Sequence, residues 1–570
     1  MKVTEPQARE TDFLEVRTDT ETNAPEAQPI EETSADYVKI PLKRAQFALV
    51  FIGLLFAIFL TALDQSIATT AFKSIVEDFG HQDLVSWIGT AYLLTSASSG
   101  ALYGKMSDIF GRKWILVFAI CMFELGSLIC GVSNSMFSLI IGRAVAGLGG
   151  GGIFSLVLIL FTDIVSMRDR GKYQGMIGGI SGIATIIAPL IGGAITDTGN
   201  WRWCFLINLP FGVVTLVTII TFLSIPSEKG SLRAKFARVD FMGSITLFAA
   251  IFCFLTPLQL GGSTWPWNSG QTIGMLVGSL FFLAIFIFVE LKIATEPIIP
   301  ASLFSESSVA GLLAIFAALG CGMISGTYFL SLFFQVVFGA TATEGGLASV
   351  PLMLGMVFTL ILSGIAVSKT GKYMIFFYVG PIVMAIGIGL TSLLNKNSSE
   401  VVKVIYLLIF GLGTGTMVQV RALAIQASVP KNLVAIATAA GITFNILGGA
   451  FGIAIAGTIF NNVVARSISR ATELQEFITK FSSSGIYVDS TDVLQILNLL
   501  QSSAQNYPNS TTEAAIYNST LEKATSELLD GFIQAFNLTY LCLLAIPGVI
   551  LIAAIFFVKQ FDIGAGGKHP

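Results

Sequence analysis

Apolar runs of eighteen or more residues recur along nearly the whole of this 570-residue chain. Each run is long enough to cross a hydrocarbon core of roughly 30 Å as an α-helix. Charged residues make up 12% of the chain, about half of the roughly 25% found in ordinary soluble domains. The sequence therefore predicts an all-α integral membrane protein.

The apolar runs fall into groups of six, two and six. The first forty residues are rich in Glu, Asp, Thr and Pro, so we expect a disordered acidic tail there. No short apolar stretch ends at a small-residue cleavage site, so we expect no cleavable signal peptide. The predicted domains are the tail at 1–45, a six-helix bundle at 46–225, a linker with two extra helices at 226–308, and a second six-helix bundle at 309–570. The fourteen helices are expected near 46–69, 84–104, 113–132, 137–162, 172–196, 204–225, 240–260, 270–292, 309–334, 345–367, 373–394, 401–424, 432–460 and 534–558.

Lys and Arg concentrate in alternate loops, which orients the chain by the positive-inside rule. The two termini are thus predicted to be cytoplasmic, and the long loop at 461–533 extracellular. Three glycosylation sequons fall in loops assigned to the outside, at Asn397, Asn509 and Asn518. The basic set of loops holds Lys105, Arg112, Lys113, Arg168, Arg170, Lys172, Lys229, Arg233, Lys235, Arg238, Lys369 and Lys372, and the other set holds Lys73, Arg202 and Lys396.

The two six-helix halves echo each other. The segment 104–113, GKMSDIFGRK, has a counterpart in 368–372, SKTGK, and the Gly-Gly-Ala at 192–194 recurs at 448–450. Weak repeats of this kind mark transporters that rock two bundles about a central site. The alternative for the first segment is that its basic residues only obey the positive-inside rule.

The segment 104–113 resembles the loop between helices two and three of the major facilitator superfamily. That resemblance implies a two-bundle fold in which the loop's Asp and Arg latch the inner ends of the bundles in the outward-facing state. Ile109 stands where the family often has a base, so the latch would have one contact fewer. The two glycines are expected to permit a tight turn. By position the latch comprises Gly104, Asp108, Gly111, Arg112 and Lys113, with Asp163 as partner.

Three more segments carry the resemblance. The run 139–147 is similar to the family's helix-four motif around Arg143, with Ala146 where Gln is usual. The run 184–193 resembles the antiporter motif of helix five, in which Pro189 bends the helix while Gly192 and Gly193 allow close packing. The run 201–210, WRWCFLINLP, is typical of the fourteen-helix drug:proton antiporter branch.

Two carboxylates lie within predicted spans, Asp64 and Glu124, and such residues are functional candidates by default. We expect Asp64 and Arg143 at similar depth, where approach and withdrawal of the arginine would switch the protonation of the acid. Open alternatives are a structural Asp64 near the interface, a snorkelling Arg143 and a structural partner for Glu124. Arg421, near the end of its helix, has no assigned role.

Other chemistry has few candidates. The only histidines are His81 and His569, and no Walker loop is present to use ATP. A net charge of -3 without a basic stripe gives nucleic acid no surface to bind. We therefore expect no enzymatic activity, no cofactor and no metal site. The six cysteines lie in apolar segments without CxxC spacing and are expected to be small buried hydrophobes, namely Cys121, Cys130, Cys204, Cys253, Cys321 and Cys542.

The favoured hypothesis is a proton-coupled antiporter that exports amphipathic drugs, toxins or secondary metabolites. Its expected partners are that substrate, protons and the lipid bilayer, with the chain acting as a monomer in the plasma membrane. One alternative is a siderophore or basic amino acid carrier of the same superfamily, which could lie in the vacuolar membrane. Another is a non-transporting receptor built on the same scaffold, although the short cytoplasmic segments offer little room for a signalling domain.

The topology gives a direct test. A cysteine introduced at Ser510 should be labelled from outside intact cells by a membrane-impermeant thiol reagent, because that residue lies in the predicted outer loop. A cysteine at Ser107 should be labelled only after the cells are opened. The reverse pattern would contradict the orientation.

Overall fold

The computed structural model describes residues 43–80, 84–225, 231–260, 265–340, 342–430, 433–471, 474–475, 478–479, 496 and 512–561. Helices account for most of this part of the chain. They are α1 (Arg44–Thr70), α2 (Phe72–Phe79), α3 (Val85–Phe110), α4 (Arg112–Gly131), α5 (Met136–Ile164), α6 (Met167–Asp197), α7 (Trp203–Leu206), α8 (Asn208–Phe222), α9 (Leu232–Ala237), α10 (Phe241–Leu260), α11 (Gly270–Lys292), α12 (Ser307–Val337), α13 (Ala342–Leu347), α14 (Val350–Thr370), α15 (Met374–Thr391), α16 (Glu400–Ala427), α17 (Val434–Arg470), α18 (Thr512–Leu543) and α19 (Ala545–Phe556).

All fourteen predicted segments fall on helices, as expected for a chain that must satisfy its backbone hydrogen bonds within lipid. Thirteen helical stretches of the described chain are long and apolar enough to span a membrane. Helix α3 is not among them, because its many Ser, Thr and Gly residues lower its mean hydropathy. It lies nevertheless at the centre of the fold, packed against α5, α10 and α17.

Most buried apolar residues form separate cores in the two halves, and a smaller cluster joins α3, the linker and α17. In the first half α1 packs on α6 and α8, and α5 packs on α3 and α4. In the second half α12 packs on α17, and α16 packs on α14 and α15. The main clusters of buried apolar residues draw on 50–223 in one case and 303–558 in the other. Linker helices α10 and α11 pack on each other, and α10 also contacts α3 and α17.

The halves meet mainly through α6 with α14 and α3 with α17, and α6 also contacts α16. Gly104 of α3 lies so close to α17 that an added Cβ would be 2.9 Å from the Cβ of Ala439. At the α6 side, Gln419 donates to Gln174 (2.7 Å), whose own amide donates to Gln426 (3.2 Å). Small residues and paired amides thus hold the halves together.

The expected turn at 104–113 is only partly correct. Helix α3 continues through Gly104 to Phe110, and the turn is made by Gly111 alone, with φ of 95°. A residue with a side chain is strained at such a positive φ, so glycine is required there. Gly104 serves instead for close packing against α17.

The two helices that flank the segment 461–533 extend into it, and the apolar-periodic patches of that segment predict that it is partly helical. Helix α17 ends at Arg470 rather than near 460, and α18 begins at Thr512 rather than near 534. Because hydropathy locates only the part of a helix inside lipid, it gives no signal for polar extensions beyond the membrane.

The expectation of six buried cysteines is wrong in part. Cys130 and Cys204 are buried, but Cys121 and Cys542 are exposed and the other two are intermediate. The outer surface of the helices is itself apolar, with Leu280 67% exposed. Lipid is as apolar as a leucine side chain, so an apolar segment does not by itself predict burial.

Candidate functional site

The first bundle contains a buried ion pair between Asp64 of α1 and Arg143 of α5. Nη1 of Arg143 lies 2.6 Å from Oδ2 of Asp64, and the two side chains are 1% and 0% exposed. Neither side chain therefore reaches the surface of the bundle, which argues against a snorkelling arginine.

Arg143 has further partners from the neighbouring elements. Its Nε donates to the carbonyl oxygen of Ile88 on α3 at 3.1 Å. Its guanidinium carbon lies 4.5 Å from the ring centroid of Tyr92 and 5.6 Å from that of Phe205. Carbonyl, carboxylate and aromatic rings together stabilise a cation that would otherwise be costly inside a membrane.

The other oxygen of Asp64 accepts a hydrogen bond from Asn208. In the sequence Asn208 belongs to the 201–210 motif, and no role is assigned to it there. Nδ2 of Asn208, the first residue of α8, donates to Oδ1 of Asp64 at 3.0 Å and to Oγ of Ser127 at 3.1 Å. The polar network thereby joins α1, α4, α5 and α8. The available signal was a polar side chain inside an apolar span.

Glu124 lies one helical turn before Ser127 on α4. It is 8% exposed, and neither carboxylate oxygen has a hydrogen-bond partner among the described residues. It packs against Gly212 of α8, where an added Cβ would collide with the carboxylate. The structural partner considered for Glu124 is thus not found in the described chain, and a charged carboxylate left in this position would be costly.

A second charged cluster lies where α3 turns into α4. Arg112 contacts Asp108 through Nη1 (2.6 Å) and Asp163 of α5 through Nε (2.8 Å). Its Nη1 also donates to Oγ of Ser107 at 2.7 Å. The structure therefore brings together the three charged residues on which the latch hypothesis depends, and all three belong to the first bundle. Lys113 instead donates to the carbonyl oxygen of Ile220, at the end of α8.

The linker reaches the same end of α3. Glu296 contacts Lys105 at 2.9 Å and Arg238 at 2.6 Å. The hydrogen bond from Arg238 is the main cause that holds the pKa of Glu296 below its ordinary value. This cluster was not predicted, because Glu296 is distant in sequence from both bases.

The remaining predicted residues are dispersed. Pro189 lies inside α6, and Gly192 packs so tightly on α1 that a Cβ would collide with Thr70. A Cβ added to Gly193 would have no heavy atom within 4 Å. The close packing expected of both glycines therefore occurs only at Gly192. Of the sequons, Asn397 is exposed, Asn518 lies on α18, and Asn509 lies outside the described residues. The described residues hold no group of three His, Cys, Asp or Glu side chains suited to a metal ion.

Comparison with known proteins gives consistent results. The family described as Major Facilitator Superfamily matches residues 54–453. The chain is 35% identical to the MFS-type efflux pump MFS1 of Arthroderma benhamiae, over 75% of this chain and 80% of that protein. It is 37% identical to efflux pump aunC of Aspergillus niger, over 77% of this chain and 84% of that protein. Among solved structures, the human organic anion transporter MFSD10 matches with a TM-score of 0.55 at 14% identity, covering 72% of this chain and 93% of that one.

Proposed function

The chain belongs to the major facilitator superfamily, and on that basis we propose that it is a proton-coupled antiporter that exports amphipathic small molecules. The buried pair of Asp64 and Arg143 is the observation that carries the proposal, because it offers a carboxylate with a removable counterion. The protein is a multi-pass membrane protein; its action as a monomer in the plasma membrane belongs to the proposal.

The direction of transport rests on the relatives. Two proteins at least 35% identical over three quarters of the chain bear the name efflux pump. The helix-five segment with Pro189 and Gly192, which resembles an antiporter motif, agrees with export. These observations favour an exporter over the siderophore or amino acid carrier and over the receptor.

Coupling requires one carboxylate to meet two environments in each cycle. In the described conformation Asp64 has a counterion, Arg143, and a second donor, Asn208. A movement of α5 relative to α1 that separates the pair leaves Asp64 desolvated and without its counterion. Asp64 then takes up a proton, and it releases the proton when the pair forms again.

Glu124 is the second candidate for the proton pathway. It lies one turn from Ser127, which shares Asn208 with Asp64. Because its carboxylate has no described partner, protonation would remove the cost of a buried charge. Asp64 and Glu124 would then form the two ends of one polar path through the bundle.

The cluster around Arg112 is proposed to stabilise the conformation in which the inner ends of the bundles are closed. Its contacts fix the end of α3, the helix whose Gly104 packs on α17 of the other half. Gly111 provides the turn that brings Arg112 back to Asp108.

Replacement of Asp64 by Asn tests the coupling. The amide imitates the permanently protonated acid, so Asp64→Asn should abolish accumulation driven by a pH gradient and leave substrate exchange measurable. The assay uses inside-out vesicles with an acidic lumen and a fluorescent amphipathic probe that the wild type accumulates. Asp78→Asn is the matched control, because Asp78 also pairs with an arginine, Arg202, but is 43% exposed.

The control should accumulate the probe at the wild-type rate. If Asp64→Asn vesicles still concentrate the probe when the gradient is imposed, Asp64 is not the coupling residue and Glu124→Gln is the next variant to assay.

Removal of the guanidinium of Arg112 tests the latch. Hydrogen bonds to charged groups are each worth about 1.5–3 kcal/mol, so Arg112→Ala should shift the conformational equilibrium by about tenfold or more. We expect correct folding and membrane insertion with a several-fold lower initial rate of probe transport. Arg202→Ala, which breaks the exposed pair with Asp78, should leave the rate near that of the wild type. Unchanged transport by Arg112→Ala would remove this cluster from the mechanism.

A further inference from the structure

The second half of the molecule contains a buried arginine that has no counterion among the described residues. Arg421 of α16 is 7% exposed, so it does not snorkel to a surface. Its Nη1 donates to the carbonyl oxygen of Phe316 on α12 at 3.3 Å, and its Nε has no partner in the described part of the chain. None of the ion pairs between described residues includes it.

The surroundings of Arg421 resemble those of Arg143 but lack a described carboxylate. Arg143 has a backbone carbonyl, an aromatic ring at 4.5 Å and the carboxylate of Asp64. Arg421 has a backbone carbonyl and the ring of Phe316 at 4.4 Å, but no carboxylate from any described residue. A buried cation without a counterion is costly, and a guanidinium cannot lose its proton to avoid that cost.

A second donor points to the same place. Nδ2 of Asn445 on α17 donates to the carbonyl oxygen of Phe316 at 3.1 Å, so a guanidinium and an amide converge on one acceptor. Donors in excess of acceptors, beside an aromatic ring, form a site that would accept an anionic oxygen carried on an apolar body.

Arg421 and Asn445 lie on α16 and α17, and both of these helices contact the first half. Gln419, two residues before Arg421, is bonded to Gln174 of the first half, and Ala439 of α17 packs against Gly104. Separation of the halves would part α6 from α16, which carries Arg421, and α3 from α17, which carries Asn445.

We propose that Arg421, with Asn445 and the ring of Phe316, binds the carboxylate of an amphipathic aromatic acid, which is the substrate class of this transporter. The inference rests on the proposed export function, since it names the class of molecule that is moved. The ligand supplies to Arg421 the carboxylate that Asp64 supplies to Arg143.

Binding of two matched probes tests this site in the purified full-length protein. Pyrenebutyric acid and pyrenebutanol share one aromatic body and differ only in the carboxylate, and their affinities are measured by equilibrium dialysis in detergent. The wild type should bind the acid at least about tenfold more tightly than the alcohol, as expected for a charge-assisted hydrogen bond. Arg421→Gln should bind the two equally, and Arg421→Met provides a second variant without the charge should the first not fold.

Arg202→Gln, which removes an exposed arginine, should keep the preference for the acid. Binding to the purified protein is measured without a pH gradient, so it does not depend on coupling to protons. A failure of coupling is thus seen in vesicle transport, and a failure of this inference is seen in binding. A wild type that does not prefer the acid, or a folded Arg421→Gln or Arg421→Met that still does, would overturn the proposal.

Discussion

The ion pair between Asp64 and Arg143 constrains the first bundle more than any other contact. Both side chains are essentially inaccessible, and a buried pair of this kind is stable only if its remaining lone pairs and protons are also bound. Asn208 and the carbonyl oxygen of Ile88 meet that requirement. Removal of one partner from such a pair typically costs about 3–5 kcal/mol, so α1, α3, α5 and α8 depend on one another through this network.

The two halves share an architecture but use their buried arginines differently. Arg143 has its counterion within the chain, whereas Arg421 has the same carbonyl and aromatic partners without a described carboxylate. The first half is thus proposed to exchange protons, and the second half to receive the anionic group of the substrate. Gln174 and Gly104 lie at contacts between the halves, and we propose that separation of the halves, which breaks these contacts, links the two events.

The sequence predicts the helices well, because long apolar runs are local signals. Asp64 and Glu124 are candidates because they are acids within such runs, whereas Arg143, Arg112 and Asp163 were assigned from the resemblance to the family. Asn208 and Glu296 were not identified, since their partners lie on other helices and depend on packing. For the same reason Gly104 was assigned to a turn rather than to the contact with α17. The turn at Gly111, with its positive φ, could be anticipated from the sequence, because glycine adopts positive φ without steric cost.

Proton coupling as proposed requires that Asp64 is charged while the halves are closed and takes up a proton when they open. Infrared difference spectroscopy tests this in a protein with two substitutions, Lys172→Cys and Ser368→Cys, that can be oxidised to a cross-link between the halves. In the structure the backbone N–H of Lys172 donates to Oγ of Ser368 at 3.2 Å. Asp64→Asn in the same background identifies the band of the protonated acid. Oxidation to the cross-linked form should remove that band at a pH where the reduced form displays it. A band of equal intensity in the cross-linked and reduced forms, or none in either form at any pH, would contradict this coupling.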